Sequence, residues 1–298
     1  MEPAEQTKLE KKEKKDSEIL SDDSSESETA KKIRFYEWNE ELTKKAEEII
    51  SADTTPLKEF WYQKHEQDAK RNWDIFYKNN GNKFFKDRHY IDREFTEILG
   101  FTEKSDKDTG IMLEIGCGVG NAIFPLSEKY TNFKFYGFDI SPRAIQIIKD
   151  SPKYDPERIF VECVDLVKDP FPTHFEKPNI ASLIFVLSAI SPENFDLVVK
   201  KIADFLPKDC VLYFRDYGRY DMAQLKLAAH KKAKLKDNFY VKSDGTRVYY
   251  FTTEELKELF EKHGFATIEN EYHYRLVENK KEGLKMHRVW IQSKFKRL

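Results

Sequence analysis

Leu113–Asn121 reads Leu-Glu-Ile-Gly-Cys-Gly-Val-Gly-Asn, a short apolar run that ends in three glycines at every second position. Glycines remove the Cβ atoms that would keep a ligand away from the backbone, and they let the chain turn sharply where a strand ends. The spacing differs from the Gly-x-Gly-x-x-Gly of proteins that hold the pyrophosphate of a dinucleotide. The stretch therefore predicts a strand, a turn and a helix, with Gly116 and Gly118 against a ligand built from methionine and adenosine.

Two carboxylates follow at the ends of the next two apolar runs. Asp139 is placed to accept hydrogen bonds from both ribose hydroxyls, and Asp165 from the adenine amino group. Leu166 and Ile184 are predicted to lie beside the adenine, although Ile184 also suits a plain core position. Either aspartate alone could be a helix cap. In this order, at successive strand ends, they predict an S-adenosylmethionine site.

The chain beyond residue 110 alternates short apolar runs with amphipathic stretches of about ten residues, which is typical of βαβ units and a mostly parallel sheet. Helices are predicted after Ser141-Pro142, which suits an N-cap followed by proline, and over Thr252–His263. The fold class is α/β, with the seven-stranded sheet and C-terminal antiparallel hairpin of a class I, Rossmann-like methyltransferase. The predicted strands are Ile111–Ile115, Lys134–Phe138, Ile159–Val164, Ile180–Leu187, Val211–Arg215, Ala266–Leu276 and Arg288–Ser293.

Composition divides the 298 residues into three parts. Residues 1–32 are nearly all charged or hydroxylated and are predicted to be a disordered tail. Residues 33–105 return to aromatic residues and predict a helical extension, and residues 106–298 form the methyltransferase domain with a basic insertion at 218–251. The three cysteines lack CxxC spacing and are predicted to be reduced core residues, and no metal site is expected.

The longest apolar run, Ile180–Ile190, is shorter than the roughly 20 residues that span a bilayer. A soluble protein with no membrane partner is expected, located in the cytoplasm, with import into the nucleus as an alternative. The formal net charge is only −2, so any affinity for nucleic acid must come from where the charges lie. A monomer is the default expectation.

The insertion carries eight Lys and Arg residues against three Asp, and aromatic residues are interleaved with them. This combination favours RNA, which offers phosphates and unstacked bases, over the alternative of a solvated charged face. The residues predicted to contact RNA here are Arg219, Lys231, Lys232, Lys234 and Arg247.

Several further motifs make the chain resemble the tRNA 3-methylcytidine methyltransferases of the methyltransferase-like family. The resemblance covers about residues 72–295 and rests on Asn72–Tyr77, Phe84–His89, the glycine turn, Leu183–Ala189, Phe214–Gly218, Asn238–Val241, Asp244–Arg247 and Lys280–Gly283. It implies that Trp73 and Tyr77 close over the cofactor and that His89 belongs to the same site. It also implies serine, threonine or arginine tRNA as substrate, methylated at cytidine 32 of the anticodon loop, sometimes with an aminoacyl-tRNA synthetase as partner.

The ring nitrogen N3 of cytidine has a free lone pair at neutral pH, so the implied reaction depends on positioning more than on a strong base. Asp216 is the candidate carboxylate for the positive charge on the methylated ring, Arg215 for a phosphate or for holding Asp216, and Tyr217 for stacking on cytosine. A buried ion pair is the alternative for Arg215 and Asp216. Lys86 and Arg88, beside His89, are candidate phosphate ligands in the extension.

Two other functions remain open on the sequence. A methyltransferase that acts on a protein or a small molecule would keep its activity when Lys231, Lys232 and Lys234 are reversed in charge. A binding module without catalysis would not bind S-adenosylmethionine, which the intact Gly116, Asp139 and Asp165 argue against.

Overall fold

The computed structural model describes residues 34–35, 38–95, 110–279 and 284–298. The predicted tail and the motif Lys280–Gly283 lie outside these residues. The helices are α1 (Glu40–Ser51), α2 (Glu59–Gln67), α3 (Ala69–Asn80), α4 (Ile91–Glu94), α5 (Ile123–Lys129), α6 (Pro142–Lys149), α7 (Phe195–Phe205), α8 (Met222–His230) and α9 (Thr253–Lys262). The strands are β1 (Arg34–Phe35), β2 (Gly110–Ile115), β3 (Phe133–Asp139), β4 (Ile159–Cys163), β5 (Ile180–Ile184), β6 (Val211–Tyr217), β7 (Lys234–Lys236), β8 (Phe239–Val241), β9 (Arg247–Tyr249), β10 (Phe265–Asn279) and β11 (Leu284–Arg297).

The main sheet has the order β1-β10-β11-β6-β5-β2-β3-β4. The five strands from β6 to β4 are parallel, and the β10–β11 hairpin joins them antiparallel to β6. The seven predicted strands and the C-terminal hairpin are thus confirmed. An eighth strand, β1, adds to the edge of β10, and two residues are too few to show any periodicity in the sequence.

The predicted strand Ile180–Leu187 is too long. Strand β5 ends at Ile184, because Phe185 takes a φ of 56° that leaves the extended region, and a single 3₁₀ turn follows at Leu187–Ala189. An apolar run cannot by itself distinguish a strand from the buried turn after it.

Helices pack against the parallel strands in two separate apolar clusters, one on each face of the sheet, which explains why those strands are mostly apolar. Helix α6 begins as predicted, with the Ser141 hydroxyl accepting the Ala144 amide at 3.2 Å and Pro142 in the first turn. Thr252 is the N-cap of helix α9 and forms a reciprocal capping box with Glu255. Among the residues described, none of the helices combines the length and apolar character needed to cross a bilayer.

Two of the contacts that attach the extension to the domain lie near its start and in α3. Near its start, the Trp38 ring stacks between Tyr220 and Tyr274, with centroids 5.6 and 5.5 Å away. In α3, one oxygen of Asp74 accepts the Ser141 hydroxyl at 2.9 Å and the Arg143 amide at 3.1 Å, so the extension caps the start of α6. The described part of the extension is therefore held firmly against the sheet.

The basic insertion folds as a small substructure of the domain, made of α8 and the antiparallel sheet β7-β8-β9. Its aromatic residues are predicted to stack on RNA bases, but Phe239, Tyr240, Tyr249 and Tyr250 are all buried. Tyr240 and Tyr250 form part of the insertion's own apolar cluster, and Phe239 and Tyr249 pack into the main core. Of the cysteines, Cys117 and Cys210 are buried, whereas Cys163 is exposed, contrary to the core prediction, because it ends its strand.

Candidate active site

A pocket opens at the carboxyl ends of β2, β3 and β5, where the order of the parallel strands reverses and where ligands bind in open α/β sheets. It encloses about 1090 Å³, its mouth included. The predicted cofactor residues on its wall are Trp73, Tyr77, Gly116, Gly118, Asp139, Asp165, Leu166 and Ile184. One predicted cofactor residue, His89, does not line it.

The glycine turn forms the floor of the pocket. Gly116 and Gly118 have φ values of 74° and 54°, which L side chains rarely adopt, and a Cβ on Gly116 would overlap Val186. The buried carboxylate of Asp139 accepts the amides of Gly118 at 3.0 Å and Ser141 at 2.9 Å. Asp139 therefore fixes the turn as well as facing the pocket. Burial raises its pKa, against the effect of these two amides.

Asp165 also lines the pocket. Its Oδ1 accepts the amides of Val167 at 3.0 Å and Lys168 at 3.3 Å, so it caps the turn after β4. The capping role considered from the sequence and the position on the pocket wall are compatible, because a carboxylate oxygen can accept more than one hydrogen bond.

Helix α3 forms a lid. Trp73 and Tyr77 are four residues apart and so lie on one face of the helix, turned toward the glycine turn. A Cβ on Gly118 would stand 3.0 Å from the Tyr77 hydroxyl, which measures how closely the lid approaches. Burial raises the pKa of Tyr77 well above its ordinary value, so its phenol stays neutral.

Glu114 also lines the pocket, and the motif that contains it predicts no role for its carboxylate. Its Oε2 is buried without a hydrogen-bond partner, and burial raises its pKa to about 8. An ammonium group in the pocket would satisfy this oxygen and favour its ionised form. The residues present therefore fit S-adenosylmethionine, with Glu114 for the methionine amine. The sequence signal for this role of Glu114 is a carboxylate within the otherwise apolar strand β2.

A cluster of three residues, Glu66, Ser191 and Arg247, closes another part of the pocket rim. Glu66 of α2 binds both Arg247 of β9 and the Ser191 hydroxyl, and Arg247 also donates to Ser191 at 2.8 Å and to the Ala189 carbonyl at 3.1 Å. Burial opposes ionisation of Glu66, but Arg247 and Ser191 outweigh it and lower its pKa. The structure thus corrects the RNA interpretation of Arg247, whose guanidinium is buried in this cluster on the pocket wall.

Lys86, Arg88 and His89, the neighbouring site residues predicted in the extension, lie in three different environments. Arg88 is buried on the pocket wall with its guanidinium 5.5 Å from the Phe185 ring, so it faces the cofactor site and not an open RNA surface. His89, one position further along the chain than Arg88, is exposed and does not line the pocket, contrary to the prediction. Lys86 is exposed in a separate shallow groove.

The predicted catalytic triplet is behind the pocket, not in it. Arg215 is buried against Glu94 and Gln292, with its guanidinium 4.6 Å from the Tyr90 ring, so its ion pair is with Glu94 and not the Arg215–Asp216 pair considered as the alternative. Tyr217 packs 4.8 Å from Phe185, which itself lines the wall. None of the three residues Arg215, Asp216 and Tyr217 contributes to the pocket lining.

Asp216 holds the loop that follows β5. It is fully buried and accepts the amides of Ser188 and Tyr217, both at 2.9 Å. Burial raises its pKa to about 6. The geometry assigns it to positioning Phe185–Ala189 and not to contact with a substrate.

The raised pKa of Asp216 predicts a pH dependence of stability. Between its unfolded value of 3.8 and its folded value of about 6, the folded state binds more protons, so stability falls as pH rises through this window. Relative to Asp216→Asn, the wild-type free energy of unfolding should drop by about 2 kcal/mol from pH 4 to pH 7. Urea unfolding of both proteins at several pH values tests this, and parallel curves would refute it.

Most cations of the insertion are engaged within the protein. Arg219 pairs with Glu47 at 3.1 Å, and Lys234 pairs with Asp237 at 2.8 Å while donating to the Asp53 carbonyl at 3.0 Å. The structure thus gives both a role in attaching the extension and the small sheet. Lys231 and Lys232, after α8, are exposed and keep the predicted RNA role. Within the described ranges, no three His, Cys, Asp or Glu side chains are grouped to hold a metal ion.

Known proteins resemble this chain in sequence and in fold. A family model described as "Methyltransferase domain" matches residues 84–270. The Homo sapiens protein "tRNA N(3)-cytidine methyltransferase METTL6" is 47% identical over 256 residues, which are 85% of this chain and 89% of that protein. The Drosophila melanogaster "tRNA N(3)-methylcytidine methyltransferase Mettl2" is 39% identical, over 88% and 82% of the two chains.

A longer yeast relative and solved structures extend the comparison. The Saccharomyces cerevisiae "tRNA(Thr) (cytosine(32)-N(3))-methyltransferase" is 37% identical over 87% of this chain but only 42% of its own length. An S-adenosylmethionine-dependent methyltransferase from Anabaena variabilis aligns with a TM-score of 0.54 at 14% identity, over 78% of this chain and 94% of its own. One from Methanosarcina mazei gives 0.51 at 18%, over 68% and 97%. These structures support the fold.

Proposed function

This chain belongs to the family of tRNA N(3)-cytidine methyltransferases, and on that premise we propose that it methylates N3 of a cytidine in tRNA. S-adenosylmethionine is the methyl donor. The observation that carries the proposal is the pocket at the switch of strand order, in which Asp139 and the glycine turn face a lid built from the extension. A domain that only binds RNA would not need such an enclosed site.

The residues of the pocket supply position and exclude water. When bound, S-adenosylmethionine supplies an electrophilic methyl group on a cationic sulfur. The neutral Tyr77 and the partly buried Trp73 cover this region, shield it from solvent and offer aromatic faces to positive charge. Because N3 of cytosine needs no deprotonation, alignment of the base accounts for most of the work that the protein must do.

Phe185 marks the end of the pocket where the target base can enter. It is a bulky residue with φ 56°, partly exposed on the wall, and such conformations concentrate at functional sites. Tyr217 supports it from behind, and Asp216 holds the loop that carries it. We place the extruded cytosine against this loop, since a base within a stack cannot reach the methyl group.

The proposal also specifies which nucleotide is methylated and in which tRNAs. The yeast relative is named for cytosine 32 of tRNA(Thr), which supports position 32 of the anticodon loop, with serine, threonine or arginine isoacceptors as substrates. The proposal also includes an aminoacyl-tRNA synthetase as partner and a cytoplasmic location. Lys231 and Lys232 are the exposed cations of the insertion that suit contact with the tRNA backbone.

The direct test is methyl transfer from labelled S-adenosylmethionine to total tRNA from cells lacking the enzyme, followed by nucleoside mass spectrometry. New 3-methylcytidine is expected, and the Lys231→Glu, Lys232→Glu double variant should make less of it at low tRNA concentration. A methyltransferase for a protein or small molecule would instead bind the cofactor and leave tRNA unmodified, even after cell extract is added.

A further inference from the structure

Helix α2 presents two aromatic rings to solvent. Phe60 is 68% exposed and Trp61 45% exposed, and they are the only exposed Phe, Tyr or Trp side chains among the residues that the structure describes with their burial. They meet edge to face with centroids 5.3 Å apart. We propose that Phe60, Trp61 and Lys64, the α2 platform, stack on unpaired bases of the tRNA loop that delivers the target cytidine. The proposal rests on the proposed function.

The rings are held outward by the anchored opposite face of the helix. The Tyr62 hydroxyl donates to Glu193 at 2.5 Å, and Glu66 is bound by Arg247 and Ser191. Just before the helix, the Leu57 amide donates to the Lys234 carbonyl at 2.8 Å. Because three points fix α2 on the domain, turning Phe60 and Trp61 inward would require breaking this anchorage. Their exposure is thus a property of the fold.

The α2 platform lies next to the pocket mouth. Glu66 at the end of α2 and Lys70 at the start of α3 both line the pocket. At about 1.5 Å of rise per residue, Trp61 is only roughly 8 Å along the helix axis from Glu66. A base held in the pocket therefore brings its neighbours in the same loop toward Phe60 and Trp61.

The chemistry of the α2 platform favours RNA over a protein partner. Unpaired loop bases stack on aromatic rings, and lysines beside the rings meet the phosphates between them. The Lys64 ammonium lies 5.4 Å from the Trp61 ring centroid, and the exposed Lys58 and Lys70 flank the rings along the chain. An apolar protein interface would be depleted of lysine at its centre. The exposed rings interleaved with cations instead match a single-stranded nucleic acid.

The test compares the Phe60→Ala, Trp61→Ala double variant with wild type and with Leu197→Ala. Leu197 lies on α7, and its exposed fraction of 44% is similar to the 45% of Trp61. Filter binding gives Kd for total tRNA from cells lacking the enzyme, and 3-methylcytidine formation gives KM and kcat. We expect Kd and KM for tRNA to rise about tenfold in the double variant. The kcat, the KM for S-adenosylmethionine and all values for Leu197→Ala should stay unchanged.

Salt dependence separates stacking from charge. Removing the rings should weaken binding equally at every salt concentration, whereas Lys64→Ala should reduce the slope of log K against log salt. The conservative Phe60→Tyr, Trp61→Phe variant should restore wild-type Kd, because it keeps two aromatic faces.

Two results would overturn the proposal. One is a Kd for tRNA in the double variant that stays within twofold of wild type. The other is a defect that appears only when cell extract is added, which would assign the rings to a protein partner. If wild type binds tRNA without forming 3-methylcytidine, the proposed function fails, and the comparison of Kd values still decides the α2 platform.

Discussion

Asp139→Ala is expected to raise the KM for S-adenosylmethionine about 100-fold or more. The substitution removes a proposed ribose acceptor and leaves the buried amides of Gly118 and Ser141 without their partner, at a cost of about 1–3 kcal/mol each. Each 1.4 kcal/mol corresponds to a factor of ten. Isothermal titration with S-adenosylmethionine and steady-state 3-methylcytidine formation measure the effect.

Two variants control this result. Asp204→Ala removes an exposed carboxylate that pairs with Lys200 on the surface of α7, and it should behave as wild type. Asp139→Asn keeps the shape and one acceptor, so its KM should fall between wild type and alanine. An Asp139→Ala protein with unchanged cofactor affinity would remove Asp139 from the site.

Arg247→Ala is expected to lower kcat/KM about 100-fold. Arg247 joins three parts of the pocket rim, namely α2 through Glu66, the loop at Ser191, and β9. Without the guanidinium, the partly buried Glu66 carboxylate has lost its cation, and breaking such a pair costs about 3–5 kcal/mol when it is fully buried. The lid helix that follows α2 should then close less often, which weakens cofactor binding.

A double-mutant cycle separates this coupling from general damage. Adding Glu66→Gln to Arg247→Ala should recover part of the loss, because the unpaired charge is removed with its partner. Circular dichroism and Tm measure whether the fold is kept in each variant. If the two losses simply add and cofactor affinity is unchanged throughout, the pair is not part of the lid.

The cofactor side of the molecule was open to prediction because its signals are local. The glycine turn, Asp139 and Asp165 each follow directly on a strand, and parallel strands bring their carboxyl ends to one edge without any further information. The caps of α6 and α9 are equally local, since each involves residues three apart in the chain. In the structure, these residues lie at the strand ends and helix starts that the local patterns predict.

The charged residues of the proposed catalytic and RNA groups were harder to predict. Arg215 and Asp216 are neighbours in the chain, yet successive side chains of a strand point to opposite faces, so one meets Glu94 and the other the Ser188 amide. The sequence shows that a cation is present but not whether the fold brings a carboxylate close enough to pair with it. Lys234 and Arg219 form such ion pairs, whereas Lys231 is exposed to solvent.

The sequence by itself determined the α/β fold and the edge of the sheet at which the cofactor pocket forms, because hydrophobic periodicity and turn residues act over a few positions. Only the tertiary structure decided which charges line that pocket. Glu66 and Arg247 meet across 181 positions of chain, and Oε2 of Glu114 is buried without a hydrogen-bond partner only in the folded domain. Burial and pairing of charge depend on these long-range contacts, which no local pattern encodes.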